Sequence, residues 1–280
     1  MLCLPDDTAG AIRMDKFLVF TDLHITEPDI RIIGLDPLAR LSAALEHALA
    51  RHGDAAGILL LGDLTHHGRP EQYSRLAELL REVPLPVHAT LGNHDQATAF
   101  AAVFPQQVDG LGFAQHALEV GGGQIILLDT NDRDGKAPKH GGWLCEERLT
   151  WLDRCLAQGK GPVLLACHHP PFMTGFPGMD AIALANGAEL LERLRSSGRK
   201  VHLLCGHVHR TISGMAEGMG FTVLKSPCHQ MPMDLEATTT ALSVDEPGAY
   251  GIVLAGPDGF VIHSEDVLGA SQATLDPGSA

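Results

Sequence analysis

Gly57-Ile58-Leu59-Leu60-Leu61-Gly62-Asp63 is the stretch that decides the fold. It carries no polar side chain until it stops at a glycine and a carboxylate. A strand with one wet face alternates, whereas a continuous apolar run of this length suits a strand buried on both faces. The same design recurs along the chain. Phe17-Leu18-Val19-Phe20-Thr21 runs into Asp22 and His24, and Pro86-Val87-His88-Ala89-Thr90-Leu91 runs into Gly92, Asn93, His94 and Asp95. Pro162-Val163-Leu164-Leu165-Ala166-Cys167 ends at His168 and His169, and Val201-His202-Leu203-Leu204-Cys205 ends at Gly206, His207 and His209.

Helical stripes lie between these runs. Leu38, Leu41, Leu45, Ala48 and Leu49 recur at spacings of three and four, as do Tyr73, Leu76, Leu79, Leu80 and Val83. Leu149, Leu152, Cys155 and Leu156 form another stripe, and Leu190, Leu191 and Leu194 a fourth. Such stripes are core faces. Strand, turn and helix in repetition make an α/β protein whose strand ends reach one edge, where open α/β sheets hold ligands. After residue 218 the pattern changes to short β runs, Phe221–Leu224, Ala249–Ala255 and Phe260–His263, with little helix between them. These are expected to be antiparallel strands completing a second sheet. The outline is a four-layer α/β/β/α sandwich of two mixed sheets, spanning residues 14–268. Residues 1–13 are expected to be a disordered extension and 269–280 a flexible tail.

The bulk numbers narrow the function. A composition of 45% hydrophobic and 19% charged residues is that of an ordinary folded protein. The longest apolar runs fall far short of the roughly 20 residues a membrane span needs, and Asp6 and Asp7 break any signal-peptide pattern. The six cysteines form no CxxC pair, which fits reduced thiols in a cytoplasmic protein. A formal charge of −14 argues against a nucleic-acid polymer as partner. It leaves room for a small anion, because bound divalent cations reverse the local field.

Sixteen histidines stand against 20 lysines and arginines, so their placement matters. Asp22-Leu23-His24 and His207-Val208-His209 each put two metal-ligand types at i and i+2, which share a face in extended backbone. Taken singly, Gly62-Asp63 reads as a turn with a capping Asp, and Gly92-Asn93 as a turn. His168-His169-Pro170-Pro171 reads alone as an extended exit with one histidine buried and one solvated. Polar clusters at all five strand ends make coincidence the poorer account. His47, His52, His66, His67, His88, His116, His140, His202 and His263 are left as surface or core residues, with His66 and His67 the least secure.

In order, these motifs are Asp-x-His, Gly-Asp, Gly-Asn-His-Asp, His and Gly-His-x-His. The chain resembles the calcineurin-like metallophosphoesterase superfamily, whose pattern this is. Within it the chain is most similar to bacterial class III cyclic-nucleotide phosphodiesterases and their glycerophosphodiesterase relatives. Gly62-Asp63-Leu64-Thr65, His168-His169-Pro170-Pro171-Phe172, Asn186 and Ser226-Pro227-Cys228-His229-Gln230 extend the match over residues 15–265.

The resemblance implies two adjacent cation sites: Asp22, His24, Asp63 and His209 for the first, and Asp63, Asn93, His168 and His207 for the second. His168 is preferred to His169 because the family ligand lies two residues before a proline. Carboxylate, imidazole and amide donors suit Fe(II) or Mn(II), and also Zn(II) or Co(II), better than Mg or Ca. A water between cations about 3.5–4 Å apart would then attack phosphorus. His94 would donate to the leaving oxygen and Asp95 would orient His94. His24, Asn93, His94, His209 and His229 are the expected substrate contacts, and residues 171–186, with Phe172 and Met179, the expected loop over the site. The expected reaction is hydrolysis of a small phosphodiester, cyclic AMP foremost. Glycerophosphodiesters or phosphomonoesters on the same site are the alternatives, and a non-catalytic interaction module is the remote one. A homodimer or larger homo-oligomer is expected by analogy alone.

Overall fold

A strand without polar side chains must be covered on both faces, since alternate residues point opposite ways. A computed structural model describes residues 14–267 and shows what does the covering; the expectations for 1–13 and 269–280 lie outside the described residues. In β1 (Asp15–Phe20) Leu18 and Phe20 face outward while Phe17 and Val19 face inward. In β2 (Gly57–Leu61) Ile58 and Leu60 face outward, and Leu59 and Leu61 inward. Helices α1 (Pro37–His52), α2 (Pro70–Arg81) and α3 (Ala97–Val103) cover the outer face through Leu41, Leu45, Tyr73, Leu76 and Phe100. Asp36 starts α1 by accepting from the N–H groups of Leu38 and Ala39 at 3.1 and 3.2 Å, with Pro37 at the first helical position.

The first sheet also contains β3 (Val87–Thr90), and its free edge is closed by a side chain. Gln107 accepts from Ala89 N–H at 3.0 Å and donates to the Val87 carbonyl at 2.8 Å, imitating a neighbouring strand. The second sheet has the order β4-β5-β6-β7-β9-β8. Its members are β4 (His116–Val120), β5 (Gly123–Leu128), β6 (Val163–Cys167), β7 (Val201–Cys205), β8 (Ile212–Ala216) and β9 (Met219–Val223). Helices α4 (Glu146–Gln158), α5 (Pro177–Asp180) and α6 (Gly187–Ser196) belong to this half. Leu149 and Leu152 of α4 and Leu190 and Leu194 of α6 pack on Ile126, Leu165 and Leu203. Between the sheets lie Phe17, Val19, Leu59 and Leu61 against Ile125, Leu127, Leu164, Ala166 and Leu204. Burying each Phe, Val, Leu or Ile among them contributes about 1.5–3 kcal/mol. Helix, sheet, sheet, helix is the four-layer order.

Three details differ from the sequence expectation. The run at 221–224 lies within and just after β9, which joins the second sheet antiparallel to β8 as expected but also parallel to β7. The hairpin of β10 (Ala249–Gly256) and β11 (Gly259–Asp266) joins the first sheet instead, antiparallel beside β1. Strand β10 is apolar on both faces: Tyr250 and Ile252 meet the helix layer, while Val253 and Ala255 meet the other sheet. It therefore fits an inner position, and its pattern does not say in which sheet. The hairpin of β4 and β5 around Gly121 and Gly122 was not expected as strands at all. Among the described residues no helix is long and apolar enough to cross a membrane.

Candidate metal centre

The loops that follow β1, β2, β3, β6 and β7 converge at the seam between the two sheets. Asp22, His24, Asp63, His207 and His209 all have left-handed backbone, with φ of 57°, 49°, 47°, 71° and 53°. Asp and His tolerate this region better than most residues, yet each such residue still costs on the order of 1–3 kcal/mol. Cross-loop bonds hold the strained backbone: Asp22 N–H donates to Gly62 carbonyl at 3.0 Å and His24 N–H to Asp63 carbonyl at 2.8 Å. Gly92 is required by close approach, since a Cβ there would lie 2.2 Å from Asp63 Oδ1.

Hydrogen bonds to carbonyls fix which ring nitrogens are free. His168 donates from Nδ1 to the Leu61 carbonyl at 2.9 Å, and His207 donates from Nε2 to the Ile182 carbonyl at 3.1 Å. The remaining nitrogens, His168 Nε2 and His207 Nδ1, face each other at 3.2 Å. Asn93 Oδ1 lies 3.2 Å and Asp63 Oδ2 3.4 Å from the same His168 Nε2. Four acceptors thus converge, and only a proton or a cation can sit among them. Asn93 Nδ2 donates to His140 Nδ1 at 3.3 Å, which keeps the amide oxygen turned inward.

A second group adjoins the first. His209 donates from Nδ1 to the His229 carbonyl at 2.9 Å, leaving Nε2 facing Asp22 Oδ1 at 3.2 Å and His24 Nε2 at 3.1 Å. His24 Nδ1 lies 3.3 Å from His66 Nδ1, a contact that can take the His24 proton away from the centre. Asp63 Oδ2 is 3.6 Å from His24 Nε2, so this one oxygen reaches both groups. Its other oxygen accepts the His94 N–H at 2.8 Å. The donor set is imidazole, carboxylate and one amide oxygen, which fits two divalent transition-metal ions.

The electrostatics point the same way. Burial alone would drain the proton from His168, but Asp63, Asp22 and the Leu61 carbonyl together outweigh burial and lift it from 6.5 to about 10. Burial would raise Asp63, yet His168 beside it holds the carboxyl well below its usual range. His209 is likewise raised, burial being outweighed by Asp22 together with the His229 carbonyl and Asp63. Without divalent cations a proton supplies the missing positive charge. A raised folded pKa gives stability that is complete below 6.5 and lost as pH climbs through about 10. Protein stripped with a chelator should therefore melt at falling temperatures across that window, and saturating Mn(II) should flatten the trend. Thermal melts over a pH series check this; a flat profile in the stripped protein contradicts it.

His94 points its Nδ1 at the His66 carbonyl, 2.7 Å away, and stacks between His66 and His140 with ring centroids 5.2 and 5.5 Å apart. Asp95 does not orient it. The Asp95 carboxylate is buried and faces away, accepting from Leu64 and Gly92 N–H, from Thr65, and from Tyr73 hydroxyl at 2.9 Å. Burial, reinforced by Asp63, pushes it up to about 6. The tight Gly92-Asn93-His94-Asp95 turn sends neighbouring side chains in different directions, so adjacency in sequence misled. His229 lies beside His24 and His209, with centroids 5.2 and 4.6 Å away. His169 is buried and bonds Thr130 Oγ1 through Nδ1 at 2.8 Å.

A cavity of about 300 Å³ opens above this floor. Ile32, Met179, Ile182, Met231 and Leu242 form its wall, with Thr240 and Ser243 at one side. Met179 belongs to the expected 171–186 segment. Phe172 does not reach the cavity; it stacks on Phe221 with centroids 3.9 Å apart in the outer core. The sequence reading missed residues 240–243 and both His66 and His140 as cavity residues. His66 had a signal in its closeness to Asp63, whereas nothing in the motif order marks His140.

Residues 15–211 match the calcineurin-like phosphoesterase family. A probable cyclic nucleotide phosphodiesterase of Rhodopseudomonas palustris is 39% identical over 251 residues, covering 89% of this chain and 91% of that one. A probable glycerophosphodiester phosphodiesterase of Arcobacter nitrofigilis is 34% identical over 194 residues, 68% of this chain and 70% of its own. A dimetal phosphatase from Danio rerio shares the fold with a TM-score of 0.68 at 16% identity, covering 91% of this chain and 96% of that one.

Proposed function

Because the chain belongs to the calcineurin-like phosphoesterase family, we propose that its cavity hydrolyses a 3′,5′-cyclic nucleotide, cyclic AMP foremost, to the 5′-monophosphate. The protein is a metal-dependent phosphodiesterase; the substrate, the metals and the residue roles are the proposal. Asp22, His24, Asp63 and His209 would hold one cation, and Asp63, Asn93, His168 and His207 the other. Fe(II) or Mn(II) fits these donors best. When bound, such ions lower the pKa of water towards neutrality and offset charge growing on phosphoryl oxygens.

The chain's own groups do the rest. The His66 carbonyl takes His94 Nδ1–H and thereby aims Nε2 into the cavity, where it can give a proton to the departing 3′ oxygen. The ring of His229 lies beside His24 and His209 and can meet the sugar or phosphate. The observation that carries the substrate reading is the wall. Among the described residues it offers aliphatic and thioether groups with two hydroxyls above the histidine-lined floor, and no Phe, Tyr, Trp or wall carboxylate. An uncharged heterocycle suits such a surface. A choline or ethanolamine ester would instead call for an aromatic cage or an acid to meet its cation.

Steady-state rates on cyclic AMP, glycerophosphocholine, bis-p-nitrophenyl phosphate and p-nitrophenyl phosphate test this. We expect kcat/KM for cyclic AMP to exceed that for the glycerophosphodiester by roughly 10–200-fold, the range a hydrophobic pocket can supply. The reverse order would replace cyclic nucleotides with glycerophosphodiesters as the substrate class.

A further inference from the structure

Strand β5 ends at Leu128 and is followed by Asp129-Thr130-Asn131, which no motif marks, yet this segment reaches into the site. Asn131 is 8% exposed and sends its amide Nδ2 across the seam, donating to the Gly92 carbonyl at 2.6 Å and the Asp95 carbonyl at 3.1 Å. Those two carbonyls bracket Asn93 and His94. The Asn131 carbonyl accepts in turn from Arg148 Nη1 at 2.8 Å, and the same nitrogen donates to the Asp129 carbonyl at 2.8 Å. One NH2 group thus forks over residues 129 and 131, and a second forks over residues 92 and 95. Arg148 and Asp129 are wholly buried, and Asp129 also accepts from Arg133 at 2.7 Å and from Asn131 N–H at 3.0 Å. A buried, charge-balanced guanidinium is a rigid anchor, because breaking either end leaves an uncompensated charge.

We infer that Asn131, anchored by Arg148, is a positioning residue that sets Asn93 and His94 for the second cation site and for proton donation. The inference rests on the two-cation reading above. Removing the Asn131 amide leaves two carbonyls without their donor and lets the Gly92–Asp95 loop relax. Asn93 Oδ1 then leaves the acceptor group around His168, while Asp22, His24 and His209 make no hydrogen bond to residues 129–131 among the described residues.

Mn(II) titration of chelator-stripped protein, followed by the EPR signal of free Mn(II), tests this. The unaltered protein should take up two ions per chain. Asn131→Ala should weaken one binding step by about 10–100-fold, the usual cost of losing a group that orients a ligand, and leave the other within about threefold. Asn93→Ala should weaken the same step, and the double variant should lose little more, as coupled residues do. Asn131→Asp, which keeps the shape but not the donor, should behave like Asn131→Ala. Should the Asn131 variants fail to fold, Arg148→Met, which keeps the length and removes both donations to residues 129 and 131 while Arg133 still pairs Asp129, should show the same one-step loss. Equal weakening of both steps, or of neither, in a folded variant overturns the inference. Uptake of a single ion by the unaltered protein overturns the two-cation reading, and this inference with it.

Discussion

On the proposed two-cation reading, Asp63→Asn should lower kcat/KM by roughly three to four orders of magnitude, because a carboxylate that would serve both cations is lost in one substitution and each cation's stabilisation of the reaction would be worth several kcal/mol. Asparagine keeps the shape and can still accept the His94 N–H through its oxygen. The loss therefore reports charge at Oδ2, the atom 3.4 Å from His168 Nε2 and 3.6 Å from His24 Nε2. A check independent of turnover is available in the stripped protein. Burial depresses His168 and Asp63 is the largest of the groups that raise it, so the variant should pull His168 down from about 10 by NMR titration. A variant that keeps two tightly bound ions and near-normal turnover would remove Asp63 from the centre of the scheme.

His94→Ala should slow turnover on cyclic AMP by about two to four orders of magnitude while metal content stays intact. The separation follows from where His94 is attached. Its main-chain N–H, which alanine retains, holds Asp63 Oδ1, whereas its ring is held by the His66 carbonyl. The substitution therefore deletes the proposed proton donor without loosening the Asp63 carboxylate. The deficit should shrink on bis-p-nitrophenyl phosphate, whose leaving group needs no proton. Metal loss, or an equal deficit on both substrates, would place His94 among the ligand supports instead.

The sequence was most legible where the informative residues are local. Continuous apolar runs announced β1, β2, β6 and β7, and the polar groups at their ends are the ones that converge, because a strand end carries its side chains to a fixed edge. Legibility failed where geometry depends on distant packing. Alternation in β10 defined two apolar faces without naming a neighbour, so its hairpin was assigned to the wrong sheet. The short β4 and β5 pair, joined through consecutive glycines, offered only a weak strand signal. His140, Asn131 and the 240–243 segment are brought to the site by loops whose course no spacing encodes. Asp95 shows the opposite failure: a neighbour in sequence whose side chain serves Tyr73 and Thr65.

The left-handed turns at Asp22, His24, Asp63, His207 and His209 bear on anyone hoping to retune this centre for another element. Glutamate and cysteine are respectable donors in the abstract, but a longer acid reaches differently and neither shares the ease with which aspartate and histidine enter that conformation. Conformation edits the alphabet before coordination preference is consulted. A change of metal is thus more readily sought in the residues beside the cluster, such as His66, His140 and His229, than in the cluster itself.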